Sequence, residues 1–418
     1  MIRTICRRAA VLAVVLAAGA CQNDEINRPF AFTPVDPLFD RYVSMGNSIT
    51  AGFQSGGIND STQQQSYAVL LAQAMHSPFF APLMNRPGCP PPYTNVFAQP
   101  TPTRVGGGTS TTCALRKSSA NPPPYISNTA VPGAEVEDIL NNLDTASNAN
   151  TLTQFFLGGL TQTQMMERAH PTFVSIWIGN NDVLGAATSS TNAGDSTKIT
   201  SVTNFQARYS AMLDTVDAVG LRGAILIGVA NVTAVPFFSQ GATYWAIKNG
   251  LVPGSAFPAA FTVSANCAPI ATGIPGARGD STLVPFPYGA ALLGAAQLGA
   301  PRNLDCGDTV AAVVVPKELV KLVGAVQAYN TFISAQASAH GWAYLDPNTT
   351  LDSLRALPQP NTVVRAFPLI GQPCSANPFG TAFSCDAVHP SAATHRLIAI
   401  KLRNAINAAY TTEIPPVP

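Results

Sequence analysis

Arg41-Tyr42-Val43-Ser44-Met45-Gly46-Asn47-Ser48-Ile49-Thr50-Ala51-Gly52 is the stretch on which the fold turns. A short apolar run, Tyr42 to Met45, halts at Gly46 and then presents a serine. Such a run predicts a buried strand that ends in a tight turn, with Ser48 on the turn. A serine hydroxyl is a weak nucleophile unless it is held exposed beside a base and opposite hydrogen-bond donors. The strand-to-turn context supplies the exposure, although G-x-S alone is common. If Ser48 attacks, a histidine, a carboxylate and N–H donors must come from elsewhere in the chain.

Downstream, strands and helices alternate. Tyr67, Leu70, Leu71, Ala74 and Met75 fall on one helical face. Residues 77–124 are rich in Pro and Gly and read as an excursion rather than a domain. A second strand is expected over Tyr125 to Ala130, ending at Val131-Pro132-Gly133, with a helix resuming near Ala134. A helix near Leu152 to Ala169 leads into Thr172 to Ile178, which is almost wholly apolar, as a strand covered on both faces should be. That run ends at Gly179-Asn180-Asn181-Asp182. Phe205, Tyr209, Met212, Leu213 and Val216 mark a helix stopped by Gly220. Gly223 to Ala230 reads as the next strand. Periodicity fades over 238–315. Leu319, Leu322, Val326, Tyr329 and Ile333 then give a long helix, Trp342 to Leu345 a last strand, and Ile398, Leu402 and Ile406 a closing helix. This alternation predicts an α/β fold of three layers, with a mainly parallel five-stranded sheet between helices. In such sheets ligands bind past the carboxyl ends of the strands, and Ser48, Gly133 and Asn181 all follow a strand end.

The N-terminus is expected to be a targeting segment. Arg3, Arg7 and Arg8 precede an apolar Ala9 to Ala20, too short to span a bilayer, which runs into Ala18-Gly19-Ala20-Cys21. That arrangement resembles a bacterial lipoprotein signal, with residues 1–20 removed, Cys21 lipidated and residues 21–40 a linker. Ala18 stands where such signals carry a bulkier residue, so simple secretion is the alternative. Either way the protein is expected to be exported, as an outer-membrane or periplasmic lipoprotein of the cell envelope held to the membrane by its lipid, or otherwise as a secreted protein. Charged residues make up 11% of the 418 and the net charge is +1, which gives no footprint for nucleic acid. Of eight cysteines, Cys6 leaves with the signal and Cys21 takes the lipid. The other six favour disulfides over metal ligation in an exported chain. Of 15 formal pairings the sequential one is expected: Cys89–Cys113, Cys267–Cys306 and Cys374–Cys385, each stapling a loop.

Of the five histidines, His76, His170 and His340 adjoin helix or strand ends and His395 lies within the closing helix. His389 stands in Cys385-Asp386-Ala387-Val388-His389-Pro390, before that helix. Asp386, three residues earlier, can accept from one ring nitrogen and leave the other to act as base toward Ser48. A helix-capping acid beside a solvated histidine would leave the same letters.

With these residues assembled, the chain resembles the SGNH hydrolases, also called GDSL esterases and lipases. The resemblance rests on Gly46-Asn47-Ser48-Ile49, Gly133, Gly179-Asn180-Asn181-Asp182 and Asp386-Ala387-Val388-His389-Pro390, in that order, and covers roughly 40–235 and 315–410. It implies the flavodoxin-like SGNH-hydrolase fold over 41–412, with inserts near 77–124 and 238–315. It also implies Ser48 as nucleophile, His389 as base and Asp386 as its orienting acid. The backbone amides of Ser48 and Gly133 and the Asn181 side chain would form the oxyanion hole. No cofactor is implied. Asn47 replaces the family's usual aspartate and is expected to keep a structural role. Arg278-Gly279-Asp280-Ser281 carries the family's commoner letters but follows no apolar strand, and reads as an exposed turn. Asp182 and Asp346 read as loop hydrogen-bonding groups. Phe257, Phe261, Phe286 and Tyr288 of the second insert fit local packing, while the insert as a whole could cover the site. Phe237 and Phe238, just past a strand end, could touch substrate.

The implied activity is carboxylic-ester hydrolysis through an acyl-enzyme at Ser48, on lipid or short-chain esters. Removal of O-acetyl groups from polysaccharide is the alternative within the fold. A metal-dependent phosphoesterase would want several His and Asp ligands, and the Asn181 turn has no histidine. A non-catalytic surface lipoprotein would have no need to keep Ser48, Asp386 and His389 together.

Overall fold

No charged residue lies in any strand of the central sheet, and alternation divides the strand side chains between two apolar faces. The computed structural model describes residues 33–118, 122–141, 156–358 and 360–418. Strands β1 (Tyr42–Gly46), β2 (Phe173–Trp177), β3 (Gly223–Ile227) and β4 (Ala343–Leu345) are all parallel and lie side by side in that order. Tyr42 is opposite Phe173, Phe173 opposite Gly223, and Ala343 opposite Ile225. Val43, Met45, Val174, Ile176, Ala224 and Leu226 enter one core. Tyr42, Phe173, Trp177, Ile225, Ile227 and Ala343 enter the other.

The helices used below are α1 (Ser48–Ala51), α2 (Tyr67–Met75), α3 (Gln162–Ala169), α4 (Asn181–Ala187) and α5 (Val202–Ala218). They are followed by α6 (Gly241–Lys248), α7 (Phe286–Gln297), α8 (Pro316–His340), α9 (Pro347–Arg355) and α10 (Ala392–Tyr410). Met166, Val183, Phe205, Met212, Leu322 and Ile333 fill the first core from α3, α4, α5 and α8. Tyr67, Leu71 and Met75 of α2 and Leu402 and Ile406 of α10 fill the second. Helices therefore lie on both faces of a parallel sheet, which is a three-layer α/β architecture.

The strand expected over 125–130 shrinks to one parallel bridge, Asn128 to Ser44, so the ladder has four strands rather than five. Asn128 turns its amide to Thr50 O and to the Ala130 N–H, and the Thr129 hydroxyl donates to Ser44 O. These bonds lie beside the backbone pairing, and the ladder bond that is missing is the one Gly46 N–H would make to Thr129 O. The segment still runs along β1, with Ser44 N–H donating to Ser127 O and Val131 N–H to Gly46 O. The spatial order is thus that of a flavodoxin-like sheet, with its switch point between β1 and β2. The helix expected near Ala134 is a single 3-10 turn, Glu137–Ile139. Asp138 and Asp182 take the N–H groups of Glu135 and Val136 ahead of it. The helix before β2 is described from Gln162, behind a Thr161 cap; residues 142–155 lie outside the described residues.

Pro34–Pro418 forms one compact unit. Packing begins ahead of Arg41, because Phe39 is buried with its ring 5.3 Å from that of Phe173. The signal segment and Cys21 lie outside the described residues. Among the described residues, no helix is long and apolar enough to cross a membrane. The disulfides join Cys89 to Cys113, Cys267 to Cys306 and Cys374 to Cys385. The 238–315 insert is more regular than its sequence suggests. It carries α6 and α7 and an apolar cluster of its own around Tyr244, Phe261, Leu293 and Leu304.

Candidate active site

β1 ends where it does because only glycine fits. Gly46 has φ +152°, and a Cβ there would lie 2.4 Å from Trp177 O and 2.5 Å from Thr50 Oγ1. Gln162, at the start of α3, closes this end by donating to Gly46 O and accepting from Gly46 N–H, both at 2.8 Å. Asn47 is fully buried and caps α1, its Oδ1 accepting the Ile49 N–H at 3.1 Å. Its Nδ2 lies 3.5 Å from Asn180 Oδ1. Ser48 opens α1 with 7% of its surface exposed.

Ser48 Oγ is 2.8 Å from His389 Nε2, and His389 Nδ1 is 2.9 Å from Asp386 Oδ2. A carboxylate only accepts, so the proton sits on Nδ1 and Nε2 is left to accept the Ser48 O–H. Asp386 reaches back to His389 because Ala387, at φ +65°, turns the chain through the left-handed region. Its Oδ1 accepts the N–H groups of Val388 and His389 at 2.9 and 2.8 Å, and its Oδ2 also accepts Gly56 N–H at 2.5 Å. Burial pushes this carboxyl up, but the His389 charge and the hydrogen bonds from His389 and the backbone outweigh it. The net position is about 2, well below an ordinary aspartate. The Phe53 ring packs 4.8 Å from the imidazole. The Cys374–Cys385 disulfide anchors the residue next to Asp386.

The candidate anion donors sit across the switch point. Asn181 starts α4 past β2, and its Nδ2 donates to Ala134 O at 2.8 Å, leaving its second amide proton. That bond and the one from Val136 N–H to Asp182 Oδ2 at 3.0 Å hold the loop carrying Gly133. Gly133 itself is exposed at φ +86°. Among the described residues, neither its N–H nor that of Ser48 donates to another protein group.

Burial pushes the Asp182 carboxyl up to about 6, against the hydrogen bond from Val136 N–H that favours the charge. A raised carboxyl keeps its proton in the folded protein from the unfolded value near 3.8 up to about 6. The stability this gives is present at low pH and is lost as pH rises through that window. Asp182→Asn keeps an oxygen for Val136 and has no charge to bury. Wild-type stability relative to this variant is therefore expected to fall between pH 4 and 6 and to level off above 7, as read from urea midpoints.

The remaining titratable candidates are occupied elsewhere. His76 and His170 cap α2 and α3 in left-handed conformations. His340 pairs with Asp217 at 2.9 Å and stacks on Trp342. His395 is buried and accepts Tyr67 N–H; burial, then the nearby His389, push it down to about 3, so it is neutral. Asp346 caps α9. Ser281 donates to Arg278 O inside a 3-10 turn of the insert. Phe257, Phe261 and Tyr288 belong to the insert's own cluster, and Phe286 packs on Phe97, Phe237 and Phe379. Phe237 N–H donates to Ala387 O at 3.0 Å, which ties the loop after β3 to the base loop. Phe238 is buried beside it. Among the described residues, no group of three or more His, Cys, Asp or Glu side chains is arranged to hold a metal ion.

Gln162, Phe53 and Gly56 were not singled out by the sequence. Only Gly56-Gly57, a turn signal just after α1, hinted that the chain doubles back there.

No protein-family model and no curated protein matches the chain. Among solved structures it is similar to Axe2, an acetylxylan esterase from Geobacillus stearothermophilus, at 12% identity and TM-score 0.37 over 88% of this chain and 94% of that one. It is also similar to LAE5, an alpha/beta hydrolase enzyme from the metagenome of Lake Arreo, Spain, at 12% identity and TM-score 0.35 over 91% and 98%. Scores this low assign nothing by themselves.

Proposed function

We propose that the protein is a serine ester hydrolase of the SGNH type that works through an acyl-enzyme at Ser48. The observation that carries this reading is the unbroken hydrogen-bond line from Ser48 Oγ through His389 to Asp386. In the first step Ser48 Oγ attacks the ester carbonyl carbon while its proton passes to His389 Nε2. The carbonyl oxygen takes the negative charge and is met by the N–H groups of Ser48 and Gly133 and the free amide proton of Asn181. Collapse expels the alcohol, which leaves with the proton from His389. A water molecule then repeats the sequence on the acyl-enzyme and releases the acid. Asp386 holds its proton off throughout, because its carboxyl titrates at about 2, and so steadies the imidazolium.

A cavity of about 90 Å³ opens behind the base loop, lined by Ile49, Trp177, Phe383, Val388 and Pro390 among others. Ser48, His389, Gly133 and Asn181 do not line it, so it does not decide the acyl or alcohol portion. The reading extends to location: export, with lipid at Cys21 as the membrane anchor. Three disulfides suit an oxidising compartment outside the cytosol.

The test is hydrolysis of p-nitrophenyl acetate, butyrate and palmitate by the purified mature protein. Turnover of at least one ester is expected; a folded protein that turns over none contradicts the reading. Asn181→Ala is expected to lower kcat by about 10²–10³-fold, because one anion donor is lost, with KM changed far less.

A further inference from the structure

The loop after α1 is stitched to the base loop. Ser55 N–H donates to Ser384 Oγ at 2.8 Å, and Ser55 Oγ accepts Cys385 N–H at 3.0 Å. Gly56 N–H donates to Asp386 Oδ2, the same oxygen that receives His389 Nδ1–H. Ser55 and Gly56 sit at φ +53° and +64°. For serine that region is disfavoured and persists only where the surroundings impose it.

The surroundings come from the 77–124 insert. Tyr93 N–H donates to Ser55 O at 2.7 Å, and a Cβ on Gly56 would lie 2.4 Å from the Tyr93 ring. Arg104 is buried, at 8% exposure. Its Nη1 donates to Gly56 O at 2.7 Å and to Pro91 O at 2.6 Å. Its guanidinium lies 3.7 Å from the centre of the Tyr93 ring. Among the described residues, it has no carboxylate partner. Burying an arginine without a counter-ion is costly. Its charge is met by the Gly56 and Pro91 carbonyls and the Tyr93 ring, and of these the Gly56 carbonyl belongs to the residue whose N–H reaches Asp386.

We propose that Arg104 is a positioning residue for the Ser48 reaction. Through the Gly56 carbonyl it holds the Gly56 N–H on Asp386 Oδ2, and so holds the carboxylate that orients His389. The inference rests on reading Ser48, His389 and Asp386 as the catalytic set. It makes the 77–124 insert, closed by Cys89–Cys113, a structural part of the site.

Ser55-Gly56 is the only Ser-Gly dipeptide in the chain. Isotope labelling of serine carbonyls and glycine nitrogens therefore yields a single carbonyl-coupled amide signal, that of Gly56. In Arg104→Met, which keeps the bulk and removes the donors, this proton is expected to move upfield and to exchange at least about tenfold faster. On p-nitrophenyl butyrate, kcat is expected to fall about 10–100-fold with KM within about twofold. Arg104→Lys, with one charged donor, recovers part of both effects. A Gly56 signal that stays in place in folded Arg104→Met overturns the inference, as does an unchanged kcat. If Arg104→Met does not fold, Arg104→Lys decides by the same two readouts, intermediate values supporting the inference and wild-type values overturning it. A wild type without turnover overturns the hydrolase reading and the catalytic role together. An active wild type with an unmoved Gly56 overturns the Arg104 inference alone.

Discussion

Ser48→Ala is expected to lower ester turnover by about 10⁶-fold, to the level left by binding and the anion donors alone. The change removes one atom from the reacting group and little else. Asn47, not Ser48, caps α1, and β1 is closed by Gln162 and Gly46. The only side-chain bond lost is the one to His389. One such bond contributes about 1 kcal/mol, so the melting temperature should shift by no more than about 2 °C in a chain this long. Hydrolysis of p-nitrophenyl butyrate beside a melt of the same preparation checks both. Retained turnover in the variant would return Ser281 to consideration.

Asp386→Asn is expected to cost about 10⁴-fold in kcat, and the hydrogen bonds around the carboxyl explain why so small a change is so damaging. The Val388 and His389 N–H groups both point at Oδ1. An asparagine must keep its oxygen there to satisfy them. Its NH2 then faces His389 Nδ1 and the Gly56 N–H, where Oδ2 had accepted from both. The imidazole can meet an N–H donor only by moving its proton to Nε2. In that tautomer Nε2 cannot take the Ser48 proton, and the half-buried Gly56 N–H is left facing another donor. Steady-state kcat and the low-field proton of the His389–Asp386 bond should both be lost in this variant, while its far-UV spectrum stays that of the wild type.

The parts legible in the sequence were those built from neighbours in the chain. Ser48 announces itself because the strand before it is short, apolar and stopped by glycine. Asp386 and His389 announce themselves because an acid three residues from a histidine can reach its ring. The sheet was legible from runs such as Phe173 to Trp177, whose residues are all buried. What holds the site together was not legible. Gln162 reaches Gly46 across 116 residues, Gly56 reaches Asp386 across 330, and Arg104 reaches Gly56 across 48. No local pattern marks a partner so distant. The 125–130 segment misled because its partner's Gly46 N–H is taken by Gln162, from 116 residues away, which leaves a single bridge where a strand was expected. The second insert misled for another reason: α7, Phe-Pro-Tyr-Gly-Ala-Ala-Leu-Leu-Gly-Ala-Ala-Gln, is apolar nearly all round and shows no period.

The central claim is that Ser48 is a nucleophile activated by His389. The most direct measurement is the intact mass of wild type and Ser48→Ala after exposure to a fluorophosphonate, with peptide mapping of the product. The account predicts one adduct on wild type, located on Ser48, and none on the variant. An unlabelled folded wild type, or an adduct that persists in Ser48→Ala, would contradict it.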